Sequence, residues 1–123
     1  MIVLEIDLDN LYRSLNISYK HADRIVIKDP YIVVAEETSR AKIDDAEKLV
    51  ATVEQIRNND SLRRVLNIDD IDKVRIIVLL HSREIDPMIA RKLSYDAKRC
   101  GVSLVTSSCN VAETLSRLGI SRC

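Results

Sequence analysis

The chain has 123 residues, 46% hydrophobic and 31% charged, with a formal net charge of zero. That length fits one domain with a single core. The balanced charge excludes a molecule that draws nucleic acid or anionic lipid by its overall field, so any such binding rests on a local patch. With four Tyr, no Phe and no Trp, the core is expected to be Ile, Val, Leu and Ala. Sparse Gly and Pro with abundant Ile and charge suit a thermophile.

"IVLEI" (Ile2–Ile6) is short, apolar and β-branched and predicts a strand. "DNLYRSL" (Asp9–Leu15) predicts a helix, with Leu11 and Leu15 four apart and Asp9 as its N-cap. "DRIVI" (Asp23–Ile27) and "YIVVAEETS" (Tyr31–Ser39) predict two strands around the turn "KDPY". Ala46, Leu49, Val50, Val53 and Ile56 recur at helical spacing and predict a helix over Ile43–Arg57, and "DSLRRVLNID" predicts a short one after it. "KVRIIVLLHS" (Lys73–Ser82) is a continuous apolar run, the pattern of a strand buried on both faces. Asp86–Pro87 opens a helix with an acidic cap and Pro in the first turn, Ile89, Leu93, Ala97 and Cys100 form its buried stripe, and Gly101 ends it. "VSLVTS" predicts the last strand, and Val111, Leu115 and Leu118 a closing helix. The order gives an α/β domain over residues 1–123: a mixed sheet with an antiparallel hairpin, a later parallel strand–helix–strand crossover, and helices on the faces.

"MIVLEIDLDN" meets Glu5 and Asp7 too early for an apolar targeting core, and no apolar run approaches membrane-spanning length. Cys100, Cys109 and Cys123 are odd in number and lack CxxC spacing, which predicts reduced thiols in the cytoplasm rather than disulfides or a zinc site.

The hairpin sets up the candidate chemistry. With Asp29–Pro30 as the loop, Lys28 faces Tyr31, the pairs Ile27–Ile32 and Ile25–Val34 follow, and Asp23 falls opposite Glu36. Opposed residues share a face with Cβ atoms about 5 Å apart. Thr38 lies on that face too, and Glu37 points the other way. Two carboxylates so placed require either a proton on one or a cation between them. Their oxygens suit a hard cation such as Mg²⁺ or Mn²⁺.

The stretch "ADRIVIKDPYIVVAEETSRAKIDDAEKLVATVEQI" resembles the core of the restriction-endonuclease-like, PD-(D/E)xK, superfamily, nearest in texture to small archaeal Holliday-junction-resolvase-like members. The likeness spans about Tyr19–Thr106. It implies metal-ligating and catalytic roles for Asp23 and Glu36, a divalent cation, DNA as partner, and pairing of the chain with itself as a homodimer. The departure falls where the motif has lysine, because Thr38 stands there. Thr supplies no cation. Arg40, which has the right strand parity, and the nearby Lys42 are the candidates to replace it. The leading expectation is a catalytically weakened domain that binds nucleic acid or a protein. The alternatives are an active nuclease with a displaced basic residue, or a dimerising module without chemistry.

"IVLEIDLDNLYRSL" resembles the first strand and helix of NYN/PIN-like ribonucleases. That likeness implies a second acidic site at Asp7 and Asn10, joined by Glu84 and Asp86. His81, at a strand end near Glu84, reads as a solvated or hydrogen-bonded side chain. Arg91, Lys92, Tyr95, Lys98 and Arg99 lie on the helix after Pro87, with Lys92, Tyr95 and Arg99 on one face, and form the best nucleic-acid patch in the chain.

Overall fold

The hairpin register holds the sheet together, and the computed structural model, which describes residues 4–107, carries it as the sequence predicts. Strand β2 (Arg24–Lys28) pairs antiparallel with β3 (Tyr31–Arg40) through Lys28–Tyr31, Ile27–Ile32 and Ile25–Val34, with Asp29 and Pro30 at the turn. β1 (Leu4–Asp7) lies antiparallel on the outer edge of β2. On the other side β4 (Arg75–Glu84) runs parallel to β3, and β5 (Ser103–Ser107) parallel to β4. The result is a five-stranded mixed sheet in the order β1-β2-β3-β4-β5.

Four helices connect the strands: α1 (Leu8–Ser14), α2 (Ile43–Asn58), α3 (Asp60–Val65) and α4 (Pro87–Arg99), with a 3₁₀ turn at Ile71–Lys73 before β4. α1 begins two residues earlier than the sequence indicates. Its N-cap is Asp7, not Asp9: Asp7 is extended, and its carboxylate accepts the Asn10 N–H at 3.2 Å. Asp9 instead sits in the first turn, where an acid faces the positive end of the helix dipole. The start of α4 is as read, with Asp86 accepting the Met88 N–H at 2.8 Å and Pro87 in the first turn. Gly101 after it takes φ +71°, a conformation that side chains with a Cβ disfavour.

The helices do not divide between the two faces as expected. Buried residues of α1 (Leu8, Tyr12), α2 (Ala46, Leu49, Val53, Ile56), α3 (Leu62) and α4 (Leu93) all join one cluster with Ile25, Ile32, Val34, Ile76, Val78 and Leu80. The connections β3→β4 and β4→β5 advance the same way across the sheet. Two right-handed crossovers of that kind leave their helices on the same side. On the opposite face, Val26, Val33, Ala35 and Leu79 make a smaller cluster of strand residues. The closing helix read at Val111–Leu118 lies outside the described residues, as do Cys109 and Cys123. Among the described residues Cys100 is a free thiol, and no helix is long and apolar enough to cross a membrane.

Candidate active site

β3 delivers two neighbouring glutamates to opposite sides of the sheet. Ile32 and Val34 enter the helix-covered cluster, and Glu36 continues that series at 2% exposure. Glu37 belongs to the other side, where its carboxylate takes the Arg24 guanidinium at 3.0 Å and lies 3.8 Å from His81 Nε2. Arg24 reaches on to Glu5 at 2.6 Å. The far face therefore carries a charge-paired row across four strands, and the near face carries an acid enclosed by apolar side chains.

Asp23 stands beside that acid. Its main chain is fixed from both directions, with its N–H on the Ala35 carbonyl at 3.1 Å and its own carbonyl accepting the Leu8 N–H at 3.0 Å. Its carboxylate accepts the Glu37 N–H at 2.9 Å. Glu36 has one oxygen, Oε1, without a partner of good hydrogen-bond geometry among the described residues. Burial foremost, then hydrogen bonding to and charge repulsion from Asp23, push the Glu36 carboxyl up to about 8. This is one of the two outcomes that the register requires of opposed carboxylates: near neutral pH Glu36 keeps its proton.

The opposing influence on Glu36 is a lysine that sequence reasoning missed. Lys48 of α2 brings Nζ to 3.5 Å from Glu36 Oε2 and 3.7 Å from Asp44. Burial works to lower the Lys48 pKa, but the carboxylates of Glu36, Asp44 and Asp45 outweigh it, and the net direction is upward. α2 is placed by specific ties. The Lys42 N–H donates to the Asp45 carboxylate at 2.8 Å at its start. One turn beyond Lys48, the Thr52 hydroxyl donates to the Lys48 carbonyl and accepts the Ala22 N–H, both at 2.8 Å. Thr52 thereby joins the lysine's turn to the segment that presents Asp23.

The other residues singled out in the sequence lie around this centre. The Thr38 hydroxyl donates to the Arg40 carbonyl at 3.3 Å. Arg40 is 78% exposed and sits 3.7 Å from Glu84. Lys42 is exposed at the entry to α2. Asp86 is spent on capping α4. Asp7 and Asp9 come together with Asp23, Glu5 and Arg24 around an open cavity of about 590 Å³, so the acidic residues of the N-terminal stretch and the hairpin aspartate share one mouth. Asp9 binds His21, which holds its carboxyl below the usual range with smaller help from Arg13 and Lys48.

Among the described residues no three His, Cys, Asp or Glu side chains converge as ligands. A hard cation that keeps most of its waters requires no more than one or two carboxylates. Asp23 and the unpartnered Glu36 oxygen fit that requirement, provided that Glu36 loses its proton. If Mn²⁺ binds here, its affinity, followed by calorimetry, is expected to rise about tenfold per pH unit up to about pH 8 and then level off. A flat profile over that range would remove Glu36 from the ligand set.

Compared with family models, with curated proteins and with solved structures, the chain finds no match.

Proposed function

We propose that the chain is a divalent-metal-dependent nuclease with a restriction-endonuclease-like core, in which Lys48 of α2 supplies the cation missing at position 38. The observation that carries this reading is the Lys48 ammonium at 3.5 Å from Glu36, on the face that also holds Asp23. The antiparallel β1-β2-β3 unit followed by parallel β4 supports it as well. Asp23 and Glu36 would hold a Mg²⁺ or Mn²⁺ ion, which supplies Lewis-acid polarisation of a phosphate oxygen. Asp23, fixed by the Glu37 N–H, presents its carboxylate without reorganisation. Glu36 would have to give up its proton to join Asp23 as a ligand. Lys48 then lends positive charge to oxygens that become more negative as the phosphodiester is attacked. The same reading takes DNA as the partner and a second copy of the chain as its companion.

One observation favours a weakened binding domain instead. A Glu36 carboxyl that titrates at about 8 holds its proton through the neutral range and competes with metal. Nicking of supercoiled plasmid in Mn²⁺ at about pH 7 and pH 9 separates the readings. A nuclease of this kind cuts faster at the higher pH, loses cutting in Asp23→Asn and Glu36→Gln, and keeps it in Glu37→Gln. No cutting of plasmid, single-stranded DNA or RNA at either pH, with folded protein, leaves the weakened domain.

A further inference from the structure

The outward face of α4 is unlike the rest of this electrically balanced chain. Arg91, Lys92, Lys98 and Arg99 are all exposed on it. The one acid of the helix, Asp96, is 8% exposed and bound to Lys92 at 3.1 Å, so α4 presents no acid to solvent. Met88 and Tyr95, 75% and 66% exposed, stand among these cations about two turns apart along the same stripe. Arg99, one turn beyond Tyr95, places its guanidinium 5.9 Å from the centre of the ring.

Helix electrostatics account for part of this. Lys98 and Arg99 occupy the last turn, where cations offset the negative end of the dipole. Lys92 is paired with Asp96, but nothing of this kind accounts for Arg91, or for an aromatic ring left in water in a chain with only four tyrosines and no other aromatic residue but histidine. The core does not use that ring either, since α4 buries Leu93 and Ala97.

From this we infer that the exposed face of α4 binds an unpaired nucleic-acid strand, with Tyr95 as the stacking platform and Arg91, Lys92 and Arg99 on the phosphates. The cationic stripe calls for a polyanion. The ring selects among polyanions: a duplex hides its base faces, an acidic peptide has none, and an unpaired strand offers one per nucleotide. Arg99 backs the ring on one side, which restricts its orientation and leaves the other side for a base. α4 lies on the same side of the sheet as Lys48 and Glu36. In the nuclease reading, to which this adds a substrate class, a strand held there belongs to single-stranded or branched nucleic acid.

The test is fluorescence anisotropy in EDTA at low salt, with a labelled oligothymidylate of about 20 nucleotides, a duplex of equal length and an oligoglutamate. Because no metal is present, the result is independent of the carboxylate site. A protein that binds the strand but cuts nothing overturns the nuclease reading and leaves this one standing. The single strand is expected to bind tightest. Tyr95→Ala should weaken it about tenfold, Tyr95→Phe should restore it, and Arg91→Ala should weaken single strand and duplex alike with a shallower salt dependence. Tyr95 is too exposed for its loss to unfold the helix, and circular dichroism verifies each variant. Equal binding of duplex and single strand with Tyr95→Ala unchanged, equal binding of oligoglutamate, or no binding at all would each overturn the inference.

Discussion

In metal-free buffer, Glu36→Gln should melt well above the wild type at about pH 9 and close to it at about pH 5. The Glu36 pKa is raised from 4.5 to about 8 on folding. Below 4.5 the carboxyl is neutral in both folded and unfolded chains, and glutamine is a fair substitute. Between 4.5 and 8 the unfolded chain releases the proton and the folded chain keeps it, so wild-type stability falls as pH rises across that window. Each unit of difference is worth about 1.4 kcal/mol, which puts the full effect on the order of 5 kcal/mol. Loss of the Lys48 contact in the variant takes back part of it. For a domain of this size the gain in Tm should still be on the order of 10 °C. A Gln variant that melts below the wild type at about pH 9 would mean that the Lys48 ion pair outweighs the desolvation of Glu36, so that folding does not raise its pKa.

If the chain is the nuclease proposed above, Lys48→Met should lower the cleavage rate at saturating Mn²⁺ by about a hundredfold or more. A positioned group acting on charge that develops in the transition state contributes about 3 kcal/mol. Methionine keeps the length and apolar stem of the side chain and removes only the charge. Arg40→Ala and Lys42→Ala should leave the rate nearly unchanged, because Arg40 is engaged with Glu84 and Lys42 stays exposed at the mouth of α2. Adding Thr38→Lys to Lys48→Met should recover part of the loss, since position 38 has the strand parity of Glu36. If Lys48→Met cuts as well as the wild type while Lys42→Ala does not, the working cation is Lys42.

The hairpin was legible because its turn and alternation leave one register that buries Ile25, Ile32 and Val34 together. α4 was legible from its ends, Asp86–Pro87 and Gly101, which act locally. Lys48 was not, since helical periodicity marks the apolar stripe and passes over polar residues at its edge. A signal was nevertheless available. A helix that leaves β3 just after Arg40 and doubles back returns residues one or two turns in to the level of Glu36. Lys48 is such a residue, one turn before the buried Thr52. The union of Asp7 and Asp9 with Asp23 was also out of reach, because it depends on the long-range bond from the Leu8 N–H to the Asp23 carbonyl. The gathering of the helices on one face follows from strand order, which local pattern does not encode.

Glu37 works on both sides of the sheet at once. Its amide serves the carboxylate face by holding Asp23, and its side chain anchors the opposite face through Arg24 and His81. The sheet thereby acts as a partition with a single rivet through it. The chemical identity of residue 37 matters only behind the partition, whereas the straightness of the strand at that point matters in front. A neutral side chain at this position would strike the back alone, whereas proline would remove the amide and the carboxylate together and strike both faces. The back face can therefore be altered at residue 37 without touching the front, but not the reverse.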